Sequence, residues 1–256
     1  MKLLKDKIVF ITGASSGIGE ACARQFAQCG ANLILAARRT QKLETLADEL
    51  QTSYEVNVLS LEMDVRNRKT VNATVENLGS KWKNIDILVN NAGLAISTDP
   101  FQNTSPDNWD TMIDTNIKGL LNVTKAILPS MLQRQAGHII NIGSTAAHEY
   151  YAGGNVYCAT KHAVKALSKC FRIDLLGTNI RVSEVDPGYV HTEFSTVRWD
   201  DKKRADQFYK KFNPLHANDV AEIVCFCATR PSHVNISNVL VHPTDQASAH
   251  YLKTKD

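Results

Sequence analysis

The feature that most constrains this chain is a regular exchange of short apolar runs with longer amphipathic ones. Residues 8–12, 32–36, 56–63, 85–89, 138–142, 181–185 and 238–242 read as strands, several of them apolar almost throughout. Such runs suit strands covered on both faces. Between them, residues 17–30, 40–50, 68–82, 105–133, 155–176 and 219–229 carry helical spacing. In 17–30 the apolar positions are Ile18, Ala21, Cys22, Phe26 and Ala27. Pro106 falls where a first-turn proline is tolerated. Strand and helix in alternation predict an α/β fold, a doubly wound parallel sheet with helices on both faces. At 256 residues, one domain of that kind accommodates the whole chain. Residues 192–213 break the rhythm. They are polar, charged and aromatic, including Arg198-Trp199-Asp200-Asp201-Lys202-Lys203, and predict a lid or inserted helical segment near 190–215. The last residues, around Lys253 and Lys255, are expected to be mobile.

The first strand and first helix are joined by Thr12-Gly13-Ala14-Ser15-Ser16-Gly17-Ile18-Gly19. Glycines permit a tight turn and close approach of backbone to ligand. The helix that follows offers unpaired N–H groups and the positive end of its dipole, which suits a pyrophosphate. Glycines alone say little; glycines between a strand and a helix in a βαβ unit point to a dinucleotide. The second strand ends at Ala36-Ala37-Arg38-Arg39. A site selective for NAD places an acid there for the ribose 2′-hydroxyl. Two guanidinium groups in its place suit a 2′-phosphate by charge and forked geometry. NADP(H) is therefore expected over NAD(H), with Ser15 as a further donor to the phosphate.

Composition removes other classes. Twenty-nine basic against 26 acidic residues leave +3, too even for a dedicated nucleic-acid binder. No apolar run approaches the roughly 20 residues of a membrane helix, and the apolar stretch after the charged start is too short for a signal peptide. Six cysteines and eight histidines show no metal-ligand spacing, and Cys225-x-Cys227 lacks partners, so no metal is expected. The cysteines read as small core residues in a reducing compartment. The cytoplasm is the expected location, with the nucleus left open.

Tyr157 and Lys161 lie four apart on the 155–176 helix and share a face. Ser144 follows the 138–142 strand, at the carboxyl end of the sheet, where open α/β sheets bind ligands. Asn116 falls within the 105–133 helix. An unperturbed tyrosine titrates near 10 and is a poor base at neutral pH. A cation one helical turn away favours the phenolate.

These residues resemble the short-chain dehydrogenases/reductases. The 12–19 turn, Asn90-Asn91-Ala92-Gly93, Ser144, Tyr157-x-x-x-Lys161 and Pro187-Gly188 occur in that family's order and approximate spacing, over most of the chain. The resemblance implies one Rossmann-type domain spanning 1–256, a nicotinamide cofactor and carbonyl/alcohol chemistry. It implies a catalytic set of Asn116, Ser144, Tyr157 and Lys161. Tyr157 would exchange a proton with the substrate oxygen, Ser144 would hydrogen-bond it, and Lys161 would reach the ribose. Asn116 would hold a water linking Lys161 to solvent. It implies a cofactor site of Gly13, Ser15, Ser16, Gly17, Ile18, Gly19, Arg38, Arg39, Asp64, Val65, Asn91, Ala92, Gly93, Tyr157, Lys161, Pro187, Gly188, Val190 and Thr192. Asp64 would contact the adenine, and Asn90 would line the nucleotide cleft. A homotetramer, built through helices 105–133 and 155–176, is expected by analogy.

Longer stretches, including 86–95, 112–119, 137–146, 151–157 and 187–198, are similar to the branch of NADP-dependent 3-hydroxy acid dehydrogenases. That likeness implies a 3-hydroxy acid such as serine, allo-threonine or 3-hydroxypropionate, or the matching semialdehyde or ketone. Arg198 is a candidate counter-charge for the carboxylate, with Tyr150, Tyr151, Tyr189 and His191 as candidate walls. Two other readings stay open: a general NADPH-dependent carbonyl reductase, and a non-catalytic NADP(H)-binding sensor.

Overall fold

The structure, a computed structural model, describes residues 2–255. It opens with β1 (Ile8–Thr12), α1 (Gly17–Gln28), β2 (Asn32–Ala37), α2 (Thr40–Tyr54), β3 (Val58–Glu62) and α3 (Arg68–Glu76). Next come β4 (Ile87–Asn90), α4 (Pro106–Ile113), α5 (Leu120–Arg134), β5 (Gly137–Ile142) and α6 (Asn155–Asp174). The last part holds β6 (Ile180–Pro187), β7 (Val190–His191), α7 (Phe194–Trp199), α8 (Lys202–Lys210), β8 (Leu215–His216), α9 (Ala217–Ala228) and β9 (Asn238–Val241).

Seven strands form one sheet in the order β3-β2-β1-β4-β5-β6-β9. Every pairing in it is parallel, as the alternation predicts. The order reverses between β1 and β4, which opens a crevice at the carboxyl ends of these two strands. Two apolar layers hold the sheet. On one face Val9, Ile11, Leu33, Leu35 and Val89 pack with Phe26 of α1, Leu43 of α2 and Val224 of α9. On the other, Phe10, Ile34, Leu88 and Ile139 pack with Val71 of α3 and Val123 and Ile127 of α5. Alternate residues of each strand feed opposite layers, as the pleat requires.

The 105–133 helix is continuous, but its middle is not α. Residues Asp114–Gly119 form a π turn between α4 and α5. Ser105 caps the start by accepting from the Asp107 N–H, and Pro106 holds the first turn. The 68–82 helix ends early, at Glu76, and a separate 3-10 turn covers Ser80–Trp82. The 192–213 segment is helical, as α7 and α8. Its bases are tied by the short pairing of β7 with β8, Val190 to Leu215 and His191 to His216. In the tail, the Lys253 N–H donates to Asp245 O at 2.8 Å and the Lys255 N–H to Lys211 O at 2.6 Å. No helix among the described residues is long and apolar enough to cross a membrane.

Candidate active site

A cleft of about 370 Å³ runs over the carboxyl ends of the central strands. Its nucleotide end is the turn after β1. Gly13 and Gly17 have φ of +65° and +57°, the left-handed region that glycine enters at no steric cost. Gly19 lies behind the turn, where a Cβ would sit 2.4 Å from Gly13 O. Its absence lets α1 aim its N-terminus at the cleft. Asn91 braces the turn from β4, donating to Thr12 O at 2.9 Å and Gly13 O at 3.2 Å.

Arg39 lies across the same turn. Its Nε donates to Ser15 Oγ at 3.1 Å and Nη2 to Ser16 Oγ at 2.5 Å. Nη1 donates to Glu193 Oε2 at 2.7 Å, and Lys42 donates to Glu193 Oε1 at 2.9 Å. These two cations hold the Glu193 carboxyl down to about 2. Arg38 also lines the cleft and is exposed. Asp64 lines it too. Hydrogen bonds from Arg66, which reaches Oδ2 at 2.6 Å, hold its carboxyl below the usual carboxylate range.

At the other end, Tyr157 and Lys161 project from α6 into the cleft, and both are buried. Lys161 Nζ lies 6.0 Å from the Tyr157 ring centroid and donates to Ile142 O at 2.9 Å. No protein group among the described residues hydrogen-bonds the Tyr157 hydroxyl. Ser144 caps the 3-10 turn Thr145–Ala147 after β5, its Oγ accepting from the Ala146 N–H at 3.1 Å. Asn116 sits in the π turn. It accepts from the Leu94 N–H at 2.9 Å and donates to Leu94 O at 2.8 Å and to Thr160 Oγ1 at 3.0 Å. A π turn carries an extra residue per turn, which is how it re-aims a side chain out of helical register. Asn116 and Lys161 converge on Gly93: a Cβ there would lie 3.3 Å from Asn116 Oδ1 and 3.7 Å from Lys161 Nζ.

Of the catalytic set and the cofactor site expected from sequence, all line the cleft except Gly19, which shapes the turn from behind, and Asn116, whose side chain pins Leu94 and Thr160. Three wall candidates are corrected. Asn90 points into the core, donating to Thr124 Oγ1 and Asn141 Oδ1, both at 2.9 Å. Tyr150 is 69% exposed and stacks on His162. His191 packs on Tyr209 outside the cleft. Tyr151, Tyr189 and Arg198 do line it.

Residues 7–203 match the profile of the short chain dehydrogenases. The chain belongs to that family. Among curated relatives of this short-chain dehydrogenase, the NADP-dependent 3-hydroxy acid dehydrogenase of Schizosaccharomyces pombe is 44% identical over 100% of this chain and 99% of its own. The enzyme of the same name from Salmonella typhi is 47% identical over 94% of this chain and 97% of its own. Among solved structures, the closed form of serine dehydrogenase complexed with NADP+ superposes with a TM-score of 0.91 at 46% identity, covering 94% of this chain and 97% of that one.

The sequence reading missed several cleft residues of this short-chain dehydrogenase. Gln246 and Ala249 reach it from the carboxyl-terminal tail, Glu193 from the loop after β7 and Phe194 from the start of α7. Gln246 is buried, and its Oε1 accepts from the Tyr189 N–H at 2.9 Å. No local pattern marks a tail residue as a wall, because its place is set by long-range contacts such as that of Gln246 with Tyr189.

Proposed function

We propose that the chain is an NADP-dependent 3-hydroxy acid dehydrogenase that uses Asn116, Ser144, Tyr157 and Lys161, with 190–215 as its substrate loop. The glycine turn, Ser15, Ser16, Arg38 and Arg39 fit a dinucleotide carrying a 2′-phosphate. When bound, the cofactor supplies or accepts the hydride. In reduction Tyr157 donates its hydroxyl proton to the substrate oxygen as charge develops there; in oxidation it removes the hydroxyl proton. Ser144 hydrogen-bonds the same oxygen. Lys161 brings a positive charge beside the phenol and would reach the ribose hydroxyls of a bound cofactor. Asn116 fixes the Leu94 segment against α6, which sets the cleft wall opposite Lys161. A water held near Asn116 would complete a proton path from Lys161 to solvent.

One observation carries the acid half of the substrate. The Arg198 guanidinium lines the cleft, with its central carbon 4.9 Å from the Tyr157 ring centroid and 5.0 Å from that of Phe194. Nη2 donates to the Tyr151 hydroxyl at 3.2 Å, and Nε is buried with no hydrogen-bond partner. A buried donor on a cation is costly to leave unpaired. A substrate carboxylate beside the reacting carbon satisfies it, and the planar fork suits that anion.

Arg198→Ala is therefore expected to raise the KM for 3-hydroxy acids by about 10- to 100-fold, the value of one charge-assisted hydrogen bond, with a much smaller effect on a neutral alcohol or ketone. Steady-state rates at the nicotinamide band give both numbers. An equal effect on acid and neutral substrates would favour a general carbonyl reductase, and absence of turnover across hydroxy acids, alcohols and ketones would favour a sensor.

The homotetramer belongs to the same reading. Leu121 on α5 and Ile173 on α6 are 36% and 70% exposed, and burying them between subunits would remove apolar surface from water. Sedimentation should give a four-chain mass. Six free cysteines support a reducing cytoplasmic setting.

A further inference from the structure

Behind Ser144 lies a buried polar cluster that the reaction above does not use. Glu184 and Asp186 alternate on β6 and so face the same side of the sheet. Both are buried, at 2% and 0% exposure. Gly143, next to Ser144, is pressed against them: a Cβ there would fall 1.7 Å from Asp186 Oδ1 and 2.8 Å from Glu184 Oε1. Asp186 Oδ1 accepts from the Ser144 N–H at 3.1 Å. Oδ2 accepts from His148 Nε2 at 2.5 Å and from Asn238 Nδ2 at 2.7 Å. Lys165 Nζ donates to His148 Nδ1 at 2.8 Å and to Ala147 O at 3.3 Å. An ammonium has donors only, so His148 Nδ1 accepts and the ring hydrogen sits on Nε2, aimed at Asp186. The hydrogen bonds thus run in one direction, from Lys165 through His148 to Asp186.

We propose that Asp186 is a positioning residue for Ser144, clamping the 144–148 turn at its first N–H while His148, Lys165 and Asn238 hold the clamp in place. The turn is gripped at both ends, at the Ser144 N–H by Asp186 and at Ala147 O by Lys165. Free rotation of that turn would carry Ser144 Oγ away from the reacting oxygen. Placement errors of this size lower rate constants without abolishing binding. The proposal rests on Ser144 as a hydrogen-bond donor to that oxygen.

Glu184 gives the clamp a pH limit. Burial, then the Asp186 charge and a hydrogen bond to Asp186, push its carboxyl up to about 8, against the pull of Lys161 and Lys165. Among the described residues, Lys161 and Lys165 from α6 act on Glu184, and His148 from the turn bonds Asp186. Below about pH 8 Glu184 keeps its proton and shares it with Asp186. Above it, two carboxylates occupy one buried site and repel. The raised value also has a stability sign. Stability from the protonated form is complete below the unfolded value near 4.5 and is lost as pH rises through about 8.

The test compares five variants with the parent. Asp186→Asn leaves one amide oxygen facing several donors. It should lower kcat at least tenfold while the KM for NADP stays within twofold. If that variant does not fold, His148→Ala carries the same test, with an expected kcat loss of at least threefold, partly recovered in His148→Gln, whose amide can still donate to Asp186. Glu184→Gln cannot ionise. Its kcat relative to the parent should rise at least threefold between pH 7 and 9.5, and its melting-temperature advantage over the parent should widen over pH 5 to 9. Unchanged kcat in Asp186→Asn or His148→Ala, or superimposable pH profiles for Glu184→Gln and parent, would overturn the proposal. Ser144→Ala separates the two levels. If it keeps turnover, the role given to Ser144 fails; if it loses turnover while the Asp186 and His148 variants do not, only the clamp fails.

Discussion

Tyr157→Phe should reduce turnover by about 10³-fold or more and leave NADP(H) affinity within about threefold. The substitution removes one oxygen and its proton and keeps the ring. That ring is already packed, 5.7 Å from the Phe194 ring and beneath the Arg198 guanidinium, so the cleft keeps its shape. A positioned proton donor contributes about 10²- to 10⁴-fold, and Ser144 does not replace it, because an aliphatic hydroxyl is a much weaker acid than a phenol. The glycine turn, Arg38 and Arg39 follow β1 and β2, whereas the phenol is carried on α6. Turnover followed at the nicotinamide band, with NADPH affinity from its fluorescence, reads the two effects separately. Residual activity above about one tenth of the parent would place the proton donor elsewhere and remove the mechanism. A drop in cofactor affinity matching the drop in rate would mean that the phenol serves binding instead.

What could be read from the sequence follows physical lines. β1, β2, β4 and β5 were legible because their residues are almost all buried, and a strand covered on both faces has to be apolar. The glycine turn was legible because its backbone angles demand glycine at 13 and 17. Tyr157 and Lys161 were legible because one helix fixes their spacing. The π turn at Asp114–Gly119 was not, because it has no pattern of its own; the contacts of Asn116 with Leu94 and Thr160 impose it. The β7–β8 pairing joins residues 25 apart over two positions each, too short for periodicity to register. Helix 68–82 was read too long because Val75, Leu78 and Trp82 continue the apolar stripe past Glu76, where the α-helix stops. The acids of β6 left a trace that went unused. A strand required to be apolar on both faces carries Glu184 and Asp186 on one of them, and charges there need partners.

Arg38→Asp combined with Arg39→Ile should reverse cofactor preference, lowering the NADP-to-NAD ratio of catalytic efficiencies by about 10³-fold. β2 ends at Ala37, so both arginines emerge where the adenosine ribose of a bound dinucleotide lies. Arg39 is held over the glycine turn by Ser15 and Ser16 and so is already oriented before a phosphate arrives. Each charge-assisted hydrogen bond is worth about 1.5–3 kcal/mol, and losing two gives about 10²- to 10⁴-fold. Asp at 38 adds a second effect of the same sign, since it accepts from ribose hydroxyls and repels phosphate. The single variants apportion the ratio between the two positions. Arg39 has a rival partner in Glu193, whose carboxylate stays ionised at neutral pH beside Arg39 and Lys42. A 2′-phosphate must share Arg39 with Glu193 or displace it, and Lys42 then retains the acid. Glu193→Gln should accordingly tighten NADP more than NAD in the parent and do nothing for either cofactor once Arg39 is replaced. A ratio that moves less than about tenfold in the double variant would put the phosphate away from the end of β2.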